Sequence, residues 1–233
     1  MTYALSDLHG DYQSYCQMLK LIEFNENDTL IIIGDICDRG LHSAEIYIDI
    51  MSRNNIIALK GNHELMAEKV LPYLFGFEKP KHKAEYKGDY MEWLDNGGAS
   101  TISSLSKENT ETIYDIVTYI KSMPYYATTT IHNKEFVFIH AGIDYYVEEM
   151  PLNEYDPFLL VWTRPNYDAK LWDNENKHLV VGHTPTMFIN LDATSKIYHG
   201  KGSIIAIDCG NAYRIFGGKL GCLCLDTMEE FYI

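Results

Sequence analysis

Five short stretches hold most of the residue types that can do chemistry: Ser6-Asp7-Leu8-His9-Gly10, Gly34-Asp35-Ile36-Cys37-Asp38-Arg39-Gly40, Gly61-Asn62-His63-Glu64, His140-Ala141-Gly142 and Gly182-His183-Thr184. They bring together carboxylates, an amide oxygen, imidazoles and an arginine. Such a set can ligate two neighbouring divalent cations and leave groups over for a phosphate and a departing oxygen. The donors are O and N atoms without a cysteine cluster, which points to Mn, Fe or Zn rather than to a thiolate site.

Each stretch also has a plainer reading. Asp7 and His9 could form a turn in which Asp7 caps the next helix. Asp38-Arg39-Gly40 could be a surface turn, and Asn62 a simple N-cap. His140 and His183 each end an apolar run, as packed strand-end histidines often do. The weight lies in repetition, because the same arrangement recurs five times along one chain. His63 is a candidate proton donor, and Glu64 reads as a brace for its loop. His42, His82, His132, His178 and His199 lack this context and read as surface or packing residues.

The elements that must position these residues alternate in the first half. Residues 3–6, 29–33 and 56–59 read as short apolar strands, and 12–24, 43–52 and 62–70 have helical spacing. This rhythm predicts parallel strands with crossover helices. Gly34 permits a tight exit from the second strand, which places Asp35 where α/β sheets present ligands. Residues 72–98 mix lysines with Pro, Gly and aromatic residues and read as a solvated basic loop or a lid. Residues 91–105, 109–122 and 151–162 look helical. Residues 125–131 and 135–139 look like a hairpin. Strands are expected at 178–181, 196–199, 203–207, 212–216, 219–225 and 230–233, with Gly217-Gly218 as a hairpin turn between two of them.

The 233 residues suffice for one large domain, and 46% hydrophobic with 22% charged residues is ordinary for a globular chain. A single catalytic domain over 1–233 is expected. A net charge of −14 disfavours a nucleic-acid polymer as partner. No apolar run reaches membrane-spanning length, and the N-terminus carries no basic leader or lipidation signal, so a membrane partner is not expected. Five scattered cysteines without a CxxC pair suggest a reducing, cytoplasmic setting, and Cys222 and Cys224 are expected in the core.

The ordered motifs resemble the signature of the PPP-type serine/threonine protein phosphatases within the calcineurin-like metallophosphoesterases, in the bacterial and phage short form, over residues 6–210. Trp162-Thr163-Arg164 resembles the segment that carries a phosphate-binding arginine in short members. Trp93-Leu94-Asp95-Asn96-Gly97-Gly98 resembles a segment common in bacterial relatives. The resemblance implies a four-layer α-β-β-α sandwich of two mixed sheets flanked by helices. It implies Asp7 and His9 on a first metal, Asp35 bridging, and Asn62, His140 and His183 on a second. Arg39, Arg164 and Asn62 would face the phosphoryl group, and His63, held by Asp38, would protonate the leaving alkoxide. Two divalent ions are expected, Mn²⁺ first, with Fe or Zn as alternatives. They would activate a water for in-line attack without a phosphoenzyme.

Three residues depart from the pattern. Ser6 replaces a usual Gly, and Lys60 an Arg whose loss would weaken phosphate affinity. The third is the missing proline after Ile143-Asp144. The expected activity is a phosphomonoesterase, foremost a serine/threonine protein phosphatase acting on a phosphorylated protein or a small phosphoester. Alternatives are a diadenosine polyphosphate or other phosphoester hydrolase on the same fold, and a non-catalytic metal-stabilised module. Glu64 and the intact Asp38-Arg39 pair weigh toward the protein phosphatase.

Overall fold

Apolar residues alternate along the strands, so each strand serves two cores at once. The computed structural model describes residues 1–147 and 149–233. In chain order the elements are β1 (Thr2–Leu5), α1 (Tyr12–Leu21), β2 (Thr29–Ile32), α2 (Ser43–Met51), β3 (Ile56–Ala58) and α3 (Asn62–Leu74). Next come α4 (Lys83–Asp95), α5 (Gly98–Leu105), α6 (Thr110–Ser122), β4 (Tyr126–Ile131), β5 (Lys134–Ile139) and α7 (Pro157–Trp162). The chain continues through β6 (Lys177–Val181), β7 (Tyr198–His199), β8 (Ile204–Ala206), β9 (Gly221–Cys224) and β10 (Glu230–Tyr232).

Two five-stranded sheets form, ordered β10-β9-β1-β2-β3 and β4-β5-β6-β8-β7. β1, β2 and β3 are mutually parallel, as are β5, β6 and β8. Ala4, Ile31, Phe136, Phe138, Val180 and Leu223 interdigitate between the sheets. Leu5, Leu30 and Ile32 point the other way, onto α1, α2, α3 and α6. Val137, Ile139, Leu179 and Val181 face Tyr155, Leu160 and Trp172 on the outer side of the second sheet. The expected sandwich of two mixed sheets flanked by helices is thus observed. None of the described helices is long and apolar enough to cross a membrane.

Two expectations need correction. Residues 211–216 form a short 3₁₀ turn, not a strand, so Gly217-Gly218 closes no hairpin there. Left-handed glycines stand at both ends, Gly210 at φ 80° and Gly217 at φ 88°. Between them the Arg214 guanidinium donates to Ser14 Oγ and Asn211 Oδ1 at 2.6 and 2.7 Å, which curls the segment toward α1. The final strands divide between the two sheets. β9 and β10 join the first sheet, with β9 antiparallel to β1 (Leu5 opposite Cys222). Within the 72–98 stretch, residues 83–95 are helical rather than loop. Cys222 and Cys224 are buried and free, as core residues.

Candidate metal centre and cleft

Parallel strands end on the same side of their sheet, so the loops after β1, β2, β3, β5 and β6 meet at one rim. Those loops carry the five motifs. Asp7, His9, Asp35, Asp38, Arg39 and His183 all adopt left-handed backbone, with φ between 48° and 71°. Such backbone costs an L-residue about 1–2 kcal/mol, and its concentration at one rim marks a site rather than ordinary turns. Two glycines permit the convergence. A Cβ on Gly61 would lie 2.2 Å from Asp35 Oδ1, and one on Gly182 would lie 2.4 Å from Asp7 Oδ2.

Two donor groups share Asp35. His9, Asp35 and His63 offer ligand atoms within 4.8 Å of one another, as do Asp35, His140 and His183. In the first group His9 Nδ1 donates to the Cys37 carbonyl at 3.1 Å, which leaves Nε2 with a lone pair. That nitrogen faces Asp7 Oδ1 at 3.9 Å and Asp35 Oδ2 at 3.8 Å. In the second, Asn62 Oδ1 lies 3.0 Å from both His140 Nε2 and His183 Nδ1. His140 Nε2 is also 3.3 Å from Asp35 Oδ1, and its Nδ1 donates to the Ile33 carbonyl at 2.7 Å. Oxygen and imidazole donors converging on two points with a carboxylate between them fit a pair of divalent cations.

The electrostatics agree. Burial, with Asp35 beside it, pushes the Asp7 carboxyl up to about 7. Burial would raise Asp35 too, but His140 and His63 hold it well below the usual carboxylate range. Burial pulls His140 down, yet Asp35 and Asp7 outweigh it and hold the ring near 10. Burial, His63 and Arg39 keep His9 well below the usual imidazole range, and burial with His140 lowers His183 to about 3. Asp7 and Asp35 set two buried carboxyl groups at this rim, whose ionised forms added cations would favour.

Around this centre lies a cleft of about 180 Å³, lined by Arg39, Arg164, Trp162, Phe188, Tyr213 and Asp208 among others. Arg39 Nη1 lies 2.9 Å from His9 Nε2, and its Nη2 lies 3.1 Å from His63 Nε2. His63 Nδ1 is 2.7 Å from Asp38 Oδ2. Burial lowers His63, but Asp35 and Asp38 outweigh it and raise the ring overall. All ten residues expected at the site therefore line this cleft or contact residues that do.

Glu64 braces the loops. Its Oε2 accepts from the Asp35 and Gly61 amides at 2.8 and 2.9 Å, and its Oε1 from Ile36 N and Tyr47 OH, each at 2.9 Å. Lys60 does not reach the cleft. It is buried, pairs with Glu68, donates to the Lys121 carbonyl at 3.2 Å and lies 5.1 Å from the Tyr125 ring centroid. Its expected part in phosphate affinity is corrected accordingly. Asp208 went unnoticed in the sequence although it carries the same signal, a carboxylate after the apolar run Ile204-Ile205-Ala206-Ile207. Burial, with Asp7 nearby, pushes its carboxyl well above the ordinary range. Phe188 and Tyr213 of the cleft wall carry no comparable signal.

The calcineurin-like phosphoesterase family model matches residues 2–207. A symmetrical bis(5'-nucleosyl)-tetraphosphatase of Haemophilus ducreyi is 40% identical over 82 residues, covering 34% of this chain and 29% of that protein. The match thus spans under a third of that relative's length. A crystal structure described as a candidate diadenosine tetraphosphatase superposes with a TM-score of 0.63 at 17% identity, covering 100% of this chain and 92% of the other. A protein serine/threonine phosphatase from Saccharomyces cerevisiae gives 0.61 at 16% identity, covering 95% and 71%. At these identities the two structural likenesses show the shared fold.

Proposed function

The chain belongs to the calcineurin-like phosphoesterase family, and from that premise we propose that it is a two-metal hydrolase whose substrate is a dinucleoside polyphosphate. The observation that carries the hydrolase reading is the Asp35 carboxylate lying between two donor groups. Asp7, His9 and Asp35 would hold one cation, and Asp35, Asn62, His140 and His183 the other. The O/N donor set suits Mn²⁺, with Fe or Zn as alternatives. When bound, two such ions lower the pKa of water and neutralise phosphoryl oxygens.

The chain's own groups supply the rest. Arg39 and Arg164 present guanidinium forks to phosphoryl oxygens, with Asn62 beside them. His63 directs Nε2 at the cleft to protonate the departing oxygen, and Asp38 fixes the ring through Nδ1. One catalytic domain over 1–233 suffices for this chemistry. Four of the five free cysteines are buried, which supports a reducing, cytoplasmic setting.

The substrate reading is supported by the name of the Haemophilus relative and by the cleft wall. Trp162 stacks on Phe158 with centroids 5.9 Å apart, and Phe188, 68% exposed, meets Tyr213 edge-on. Exposed aromatic faces beside a phosphate site offer nucleobases stacking worth about 1–3 kcal/mol each. A protein phosphatase is the second reading, favoured by the buried Asp38–His63 pair, because a serine alkoxide leaves only with a proton.

The test is turnover of diadenosine tetraphosphate against a phosphoserine peptide in Mn²⁺, with nucleotide products separated. The expected result is at least about tenfold higher kcat/KM for the dinucleotide, with ADP as product. A preference for the peptide would move the assignment to the second reading. Loss of both activities from a metal-loaded protein would remove the hydrolase reading.

A further inference from the structure

We propose that Trp93 and Thr101 are positioning residues for proton delivery, acting on His63 through Asp38. The inference rests on the reading of His63 as the proton donor. It gives a purpose to the Trp93-Leu94-Asp95-Asn96-Gly97-Gly98 stretch, which contributes no metal donor.

Asp38 is fully buried, and both its oxygens are engaged. Oδ2 accepts from the Trp93 indole N–H at 2.8 Å and lies 2.7 Å from His63 Nδ1. Oδ1 accepts from the Thr101 hydroxyl at 2.6 Å, and that hydroxyl accepts from the Asp38 amide at 2.8 Å. A carboxylate held at both oxygens cannot rotate about its own bond, so the imidazole it orients cannot swing. The ring's other nitrogen stays 3.8 Å from Asp35 Oδ2, at the centre of the site.

The two donors are themselves fixed. Of the residues of α4, Trp93 alone is buried. Its indole packs on Gly98, where a Cβ would come within 2.5 Å of the ring. The Gly97 carbonyl accepts from the Arg39 amide at 3.3 Å, which ties the same corner to the loop bearing Asp38. Thr101 sits one turn into α5, with Ser43 Oγ 3.3 Å from its hydroxyl. The helix pair thus reaches the proton donor through two hydrogen bonds to the Asp38 carboxylate.

A residue that positions a proton donor should matter most where the leaving oxygen is basic. The experiment measures kcat/KM of the Mn²⁺-loaded enzyme for phosphomonoesters graded from dinitrophenyl phosphate to simple alkyl phosphates. Trp93→Phe, Thr101→Val, Thr101→Ser and His63→Asn are compared, with metal content measured for each.

For alkyl esters we expect Trp93→Phe and Thr101→Val to lose about 10- to 100-fold, a part of the 10²–10⁴ that the proton donor itself contributes. For dinitrophenyl phosphate little should change. Thr101→Ser, which keeps the hydroxyl, should restore the alkyl-ester rate. His63→Asn should show the same steepening, only larger. If His63→Asn steepens the leaving-group dependence while Trp93→Phe and Thr101→Val run parallel to the parent, the positioning role is overturned and the proton-donor reading stands. If His63→Asn is itself parallel to the parent, the proton-donor reading falls and takes this inference with it. Should Trp93→Phe fail to fold, the Thr101→Val and Thr101→Ser pair decides alone.

Discussion

At the scale of single residues, the site is a problem of competing protons. In the metal-free protein at neutral pH His140, near 10, holds its proton and Asp7, near 7, is about half protonated. A cation needs the deprotonated carboxylate and the neutral imidazole, so loading must release protons. Affinity is therefore expected to weaken as pH falls from about 10 through 7, most steeply where both groups protonate. Calorimetric titration of Mn²⁺ in buffers of different ionisation enthalpy reads the protons released; no buffer dependence would contradict the assignment. Glu64 supports a second expectation. Its carboxylate accepts the amides that aim Asp35, so Glu64→Gln should cost about 1.5–3 kcal/mol in urea unfolding and loosen metal binding. In the sequence Glu64 reads as a clue to substrate choice. As a brace for backbone amides it serves any substrate equally.

At the scale of elements, legibility followed locality. The strand ends could be read because an apolar run and the polar residue after it are adjacent in sequence. That sufficed for Asp7, Asp35, Asn62, His140 and His183. Trp93 and Thr101 could not be placed, since their partner Asp38 lies 55 and 63 residues away and neither type signals a site. Residues 211–216 have strand-like composition, but the flanking left-handed glycines and the reach of Arg214 to Ser14 overrode it. Lys60 is the reverse case, a residue next to a motif whose side chain turns away from it. It ties the β3–α3 loop to α6 through the Lys121 carbonyl. Lys60→Met should lower stability by about 1–3 kcal/mol through the orphaned partners and leave KM for p-nitrophenyl phosphate unchanged. A raised KM with unaltered stability would return Lys60 to the phosphate site.

At the scale of the whole molecule, the donor groups bridge the sandwich. Asp7, His9, Asp35 and Asn62 follow strands of the first sheet, while His140 and His183 follow strands of the second. Cations held between them would join the sheets at the rim. Chelation should therefore lower Tm, and restoring Mn²⁺ to about 100 times its dissociation constant should return about 2.7 kcal/mol per site. Differential scanning calorimetry with and without chelator checks this. An unchanged Tm in a protein shown to bind the metal would mean the sheets are held without it.

The pairing of β9 with β1 sets a calendar for synthesis. Asp7 stands at the end of a strand whose neighbour on one side, residues 221–224, leaves the ribosome more than two hundred residues later. Until then the nascent chain carries β1 with one flank open, and an unpaired edge invites association with other chains. Stalled or shortened translation products ending before residue 221 should thus be sticky and short-lived, even though every proposed cation donor has already been made.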